Sequence, residues 1–304
     1  MILRKTDTRY PEMLRLIPDP PEKLYVVGNL INTVNRDNRA GFAVVGSRRA
    51  TKYGLDMAYS ISRELSENGM LIISGLAEGV DAAAHRGALD GGGGTVAVLG
   101  CGADVYYPAV NRKLQRAIAS AGSLVSEHPP GTQPRGDHFP SRNRIISGLS
   151  IGVLVVEGAA RSGTLITADM ALSQGRDVYA LPGSVTSRNS ATPNKLLKAG
   201  ACLVESAEDI LEELEIPTSK SEKGQGKVDI SHFRGTLTAE ENAVLSAIEG
   251  TPKAITKIIY ETGLQCGKVS SILVVLEMAK LVSKSIDGDY IAMMNVGRGN
   301  PTNE

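Results

Sequence analysis

A mostly parallel β-sheet covered by helices on both faces, followed by a small helical unit, is the fold this sequence predicts. Three observations carry it. Apolar, β-branched runs recur at Phe42–Val45, Met70–Ile73, Thr95–Leu99, Ser123–Val125, Gly152–Val156, Asp177–Leu181 and Ala201–Val204. Helical stretches separate them, such as Tyr53–Asn68 with Ile61 and Leu65 on one face. Beyond a polar segment at 217–235, further helical patterns follow. Continuous rather than alternating apolar runs mark strands buried on both faces, and strand–helix alternation implies parallel crossovers. The class is α/β, an extended Rossmann-like, doubly wound, mostly parallel sheet.

Residues 1–40 read as a lead-in packed on the core. Pro11, Pro18, Pro20 and Pro21 exclude a long helix, and Leu24–Gly28 is a brief strand. The sheet domain spans 41–216 and closes with a helix at 206–214. In such sheets ligands bind beyond the carboxyl ends of the strands. Small, polar or basic loops stand there: Gly46-Ser47-Arg48-Arg49, Ser74-Gly75, Gly100-Cys101-Gly102, Ser126-Glu127-His128, Glu157-Gly158 and Pro182-Gly183-Ser184. Any one of them is an ordinary tight turn; together on one edge they favour a shared ligand surface.

The segment 217–235 is rich in Gly, Ser and Lys, without periodicity, and reads as a flexible linker. In 236–294, Thr238 and Glu241 make a capping box for a helix through Ile248. A second helix covers Ala254–Thr262 and stops at Gly263. A third runs from Gly267 to Lys280 with Val269, Ile272, Leu273, Leu276 and Met278 inward. Leu281–Ser285, the turn Asp287-Gly288 and Tyr290–Met293 suggest a hairpin. Three helices and a hairpin are the order of a winged helix. Its third helix offers only Lys268 and Lys280 as cations, which favours a docking or structural role over groove reading. The tail 295–304 reads as disordered.

Composition bounds the function. The chain of 304 residues has 42% hydrophobic and 22% charged residues, enough for a sizeable core. Lys+Arg and Asp+Glu balance at 33 each, so an anionic partner must be met by local segregation of charge. Cys101, Cys202 and Cys266 lie far apart, which argues against structural zinc or a disulfide framework. No apolar run approaches a membrane span, no cofactor motif stands out, and a cytoplasmic location is expected.

The most informative stretch is Phe139–Thr167. It joins a basic helix (Arg142, Asn143, Arg144), an apolar strand ending at Glu157, and the loop Arg161-Ser162-Gly163-Thr164 opening another helix. A strand delivering such a turn to a helix N-terminus is an anion site, although an ordinary Ser/Thr cap has the same pattern. Arg142 and Arg144 point about 200° apart on a helix, so one is expected to reach phosphate while the other pairs with Glu127 or Glu157. Phe139 is either a stacking face or a core residue. Asp81 and His85, i and i+4, form either an acid–base pair or a buttress for the Ser74-Gly75 loop.

VVGSRRATKYG (44–54), SGLAEGVDAAAHRGAL (74–89), GTVAVLGCGADVYYP (94–108), SLVSEHPPG (123–131), FPSRNRIISGLS (139–150), VVEGAARSGTLITADMALSQGRDVYALPGS (155–184) and KAGA (198–201) resemble the DNA-processing protein A family, DprA or Smf. The resemblance covers about residues 10–205 in order. It implies a non-catalytic protein that binds and protects incoming single-stranded DNA and loads the RecA recombinase during natural transformation, usually as a homodimer. The implied DNA contacts are Gly46, Ser47, Arg48, Ser74, Gly75, Phe139, Arg142, Asn143, Arg144, Arg161, Ser162, Gly163 and Thr164. Two departures stand out: the chain before Tyr10 is too short for the family's frequent N-terminal helical domain, and Pro193 occupies a loop that usually has glycine before asparagine. Two other classes remain: a Rossmann enzyme hydrolysing an N-glycosidic or phosphate bond, and a nucleotide sensor with the winged helix as output.

Overall fold

The computed structural model describes residues 1–28, 40–160, 162–216, 237–248, 253–278, 281–284 and 289–292. The linker expected at 217–235 and the tail at 295–304 lie outside them. The chain divides into two compact units, Met1–Ser219 and Lys220–Glu304.

In the first unit the strands are β1 (Ile2–Arg4), β2 (Lys23–Gly28), β3 (Gly41–Val45), β4 (Leu71–Ser74), β5 (Thr95–Leu99), β6 (Ser123–Ser126), β7 (Gly152–Val155), β8 (Asp177–Ala180) and β9 (Cys202–Leu203). They form one sheet in the order β1-β2-β6-β5-β4-β3-β7-β8-β9. From β6 to β9 every pairing is parallel; β2 joins β6 antiparallel, with Tyr25 opposite Ser126, and β1 adds antiparallel to β2. The lead-in is thus part of the sheet. Its first strand, only three residues long, had no signal in the sequence.

The helices are α1 (Glu12–Arg15), α2 (Lys52–Glu67), α3 (Val80–Asp90), α4 (Arg112–Ala121), α5 (His138–Gly148), α6 (Gly163–Ser173), α7 (Ala191–Lys198) and α8 (Ala207–Glu213). The period of two along β3 shows how they cover the sheet. Ala43 and Val45 meet Leu14, Ile145, Ala168 and Leu196 of α1, α5, α6 and α7, whereas Phe42 and Val44 meet Ile61, Ala84 and Ile210 of α2, α3 and α8. Leu114 and Ile118 of α4 pack with Ala97, Leu99 and Leu124. The sheet is doubly wound, and each strand is apolar because each has two dry faces.

The second unit has α9 (Ala239–Ala247), α10 (Ile255–Thr262) and α11 (Cys266–Met278), with β10 (Val282–Lys284) paired antiparallel to β11 (Tyr290–Ala292). The capping box forms: Glu241 N donates to Thr238 Oγ1 at 3.3 Å, and Thr238 N donates to the Glu241 carboxylate at 2.8 Å. Gly263 ends α10 in the left-handed region at φ +68. Val269, Ile272, Leu273 and Leu276 enter the unit's core beside Val244, Leu245 and Ile258. The expected turn at Asp287-Gly288 lies outside the described residues.

Candidate functional site

β3 and β7 are neighbours, yet β3 leads to α2 on one face and β7 leads to α6 on the other. Connections that diverge in this way leave a crevice at the strands' carboxyl ends. An open cleft of about 640 Å³ occupies that place. Gly46, Ser47 and Arg48 line it from β3, Ser162, Gly163 and Thr164 from the start of α6, and Phe139, Arg142 and Asn143 from α5. Tyr107, Asp81 and the loop Pro134-Arg135-Gly136 are also part of the lining.

Backbone fit fixes the first loop. Val80 N donates to Ser47 O at 3.2 Å. Gly79, at φ +79, has no side chain to keep it from that strand end: a Cβ there would lie 2.8 Å from the Arg48 carbonyl oxygen. Arg48 therefore leaves the sheet edge at a defined angle. Its guanidinium stands 5.4 Å from the centroid of the Phe139 ring, which lies 5.5 Å from the Tyr107 ring at a tilt of 31°. Phe139 is only half-buried, with its edge against Gly100. A guanidinium and two aromatic rings thus form one wall.

Arg142 forms the floor and is 6% exposed. Nη1 donates to Gly75 O at 2.8 Å and to Val98 O, and Nε donates to Asn143 Oδ1 at 3.2 Å. Gly75 admits the guanidinium, since a Cβ would lie 2.6 Å from its Cζ. Burial draws the Arg142 pKa down to about 10, opposed by the charge of Asp81, so the group stays cationic at neutral pH. Burial raises the Asp81 pKa, opposed by Arg142; its carboxylate also accepts from Ala77 N at 3.4 Å. The opposite wall is a helix start with no side-chain cap: Ser162 places its hydroxyl 3.4 Å from that of Thr192. The leading N–H groups of α6 keep their capacity for an anion.

Two expected contacts lie elsewhere. Ser74 is fully buried and donates its hydroxyl to Val44 O at 2.6 Å, a bond inside the sheet. Arg144 is held by Glu127 through bonds of 2.7 and 2.9 Å and by Asp19 at 2.9 Å, away from the cleft. The opposed directions of Arg142 and Arg144 follow the helical geometry. Gly75 lines a recess of about 50 Å³ behind Phe139, and Arg161 lies outside the described residues.

The carboxylates at the strand ends are engaged by neighbouring groups. Of the two carboxylates offered as arginine partners, Glu127 takes that role, and Glu157 has no arginine partner among the described residues. Glu157 accepts the Thr51 hydroxyl at 2.5 Å and the Thr51 N–H at 2.9 Å, while Thr51 caps Gly54 N of α2. Asp81 and His85 find separate partners. Thr95 donates to Ile72 O at 2.6 Å, so His85 Nδ1 is the donor in its 2.7 Å bond to Thr95 Oγ1. Burial lowers the His85 pKa to about 3 and keeps it neutral. Pro193 sits in the first turn of α7, where its missing N–H costs little. Tyr107, Arg135 and Asp81 line the cleft without having been singled out as ligand contacts; the aromatic pair Tyr106-Tyr107 after a strand-end loop was the available signal.

The family model described as DNA recombination-mediator protein A matches residues 1–215, and that of the DprA winged helix domain matches 234–287. The DNA processing protein DprA of Streptococcus pneumoniae is 46% identical over 69% of this chain and 72% of its own. The X-ray structure of DprA from that species superposes with a TM-score of 0.67 at 43% identity, covering 70% of this chain and 74% of the other. DprA from Helicobacter pylori, solved to describe its single-stranded DNA binding mode, superposes at 0.61 with 28% identity, over 70% and 98% of the two chains.

Proposed function

The chain belongs to the DNA recombination-mediator protein A family, and from that premise we propose that its cleft holds single-stranded DNA without cutting it. The wall formed by Arg48, Phe139 and Tyr107 above Arg142 carries the reading. Single strands are retained by cations that track the backbone and by faces on which bases stack, and stacking contributes roughly 1–3 kcal/mol per base. This wall supplies both, and the uncapped start of α6 supplies N–H donors for a phosphate. The Helicobacter pylori relative, described for its single-stranded DNA binding, supports the same ligand class. Protection of incoming strands, hand-over to the RecA recombinase and action as a homodimer complete the proposal; family membership supports them.

The hydrolytic reading calls on a carboxylate that faces substrate. Asp81 is the acidic residue in the cleft lining among the described residues, and it is 6% exposed beside Arg142. That placement favours a counter-charge over a general base.

The test is fluorescence anisotropy of labelled oligo-dT across a salt series, with duplex DNA and ATP as competitors. Preference for the single strand, a steep salt dependence, and loss of affinity in Arg48→Ala and Phe139→Ala are expected. Absence of binding at low salt, or displacement by mononucleotide alone, would sink the reading. Incubation with ATP and single strands should leave both intact.

A further inference from the structure

Beside the cleft lies a second cluster of cations and aromatic surface that the reading above does not use. Tyr106 is 40% exposed and has two guanidiniums close to its ring, with Arg112 Cζ 4.8 Å and Arg116 Cζ 5.4 Å from the centroid. Arg116 Nε also donates to the Tyr106 hydroxyl at 3.3 Å. Exposed Lys113 and Val110 flank the cluster on the chain.

The charge arrangement is unfavourable for the protein alone. Arg112 and Arg116 stand i and i+4 on α4, where like charges repel. Lys52 and Arg63, exposed cations of α2, each have a carboxylate at i+4, Asp56 and Glu67. Among the described residues no carboxylate pairs with Arg112, Lys113 or Arg116. The hydrogen bond from Arg116, then its charge and that of Arg112, lower the Tyr106 pKa, which marks the surroundings as positive. Such a cluster gains from a polyanion that supplies the missing negative charge.

In the chain it begins one residue from the cleft lining. Tyr107, in contact with Phe139 on the cleft wall, is the next residue to Tyr106 in the chain. We infer that a single-stranded polynucleotide leaving the cleft over Tyr107 runs on across Tyr106, Arg112 and Arg116, which form an outer subsite. The two arginines meet successive phosphates, and the Tyr106 ring offers a face to a base. This subsite rests on the reading of the cleft as a single-strand site.

The test compares oligo-dT of about 5 and about 20 nucleotides, lengths that bracket a short binding site and its continuation. In Arg112→Gln/Arg116→Gln, affinity for the short strand should be unchanged. Affinity for the long strand should fall about tenfold at low salt, with the salt slope reduced by about 1.4, or ~0.7 for each lost cation. Arg112→Lys/Arg116→Lys should keep the slope, and Tyr106→Ala should weaken the long strand alone. All of these residues are exposed, so the circular dichroism of the variants should match the parent protein. Equal losses for both lengths would reveal a general field effect and overturn the subsite, as would a Gln variant with no loss. If Arg48→Ala still weakens the short strand in that case, the cleft reading stands and the subsite alone fails. A parent protein that binds neither length would overturn both.

Discussion

Glu127 holds Arg144 through two hydrogen bonds, accepting from Nη2 at 2.7 Å and from Nη1 at 2.9 Å. This pair faces away from the cleft, two residues along α5 from the arginine that forms its floor. Arg144 is a basic residue in the motif most suggestive of phosphate binding, and its charge is already engaged.

Arg144→Ala should therefore act on stability. The side chain is 13% exposed and its loss leaves Glu127, at 31%, without its partner. A destabilisation of about 1–3 kcal/mol is expected, read as a lower urea midpoint, with single-strand affinity within about twofold. A large affinity loss in a folded Arg144→Ala protein would place the residue in the binding path.

Arg48→Ala should do the reverse. The side chain is exposed and packs on the Phe139 face, so thermal stability should scarcely change. The slope of log K against log salt should flatten by about 0.7, the value for one phosphate contact on a single strand. An unchanged slope would remove Arg48 from the site.

Glu157→Ala should loosen the start of α2. The carboxylate accepts both the N–H and the hydroxyl of Thr51, and it is 2% exposed. Leaving those donors unsatisfied should cost about 1–3 kcal/mol, and Thr51→Ala about 1 kcal/mol through the lost cap. Additive losses in the double variant would argue against one shared network.

His85 makes stability depend on pH. Its folded pKa, about 3, lies below the ordinary 6.5, so the unfolded chain binds the proton more readily. Stability from this group is complete above pH 6.5 and falls on acidification until about pH 3. The slope is about 1.4 kcal/mol per pH unit within that window. Asp81 has a raised pKa and therefore the opposite sign, penalising the fold once ionised. His85→Asn, which keeps a donor for Thr95, isolates the histidine: its denaturation midpoints should vary less with pH than the parent's. Parallel pH profiles would refute the assignment.

The parallel strands were legible because each is a short, continuous apolar run with dry neighbours on both faces. Ile2–Arg4 was not, since a three-residue strand has no period and its identity comes from Lys23–Tyr25 opposite it. The cleft's position followed from glycine- and serine-rich strand ends. Which arginine reached it did not: helical geometry separates Arg142 from Arg144, but only the positions of Gly75 and Val98 on one side and Glu127 on the other decide between them. Ser74 looked accessible as the last residue before a loop, yet its hydroxyl is spent on the neighbouring strand. Tyr106, Arg112 and Arg116 meet across a loop and a turn of 3-10 helix, so their cluster appears only in three dimensions.

The pairing of Tyr25 with Ser126 also sets an order of events at the ribosome. The first 28 residues emerge ahead of every strand that the sheet will later offer them. Until β6 has been synthesised, β1 and β2 have only each other, and a lone two-stranded ribbon is marginal in water. Docking of residues 1–28 on the sheet thus waits for residue 126. Limited proteolysis of stalled nascent chains should cut within this segment until residue 126 has left the exit tunnel, and spare it afterwards.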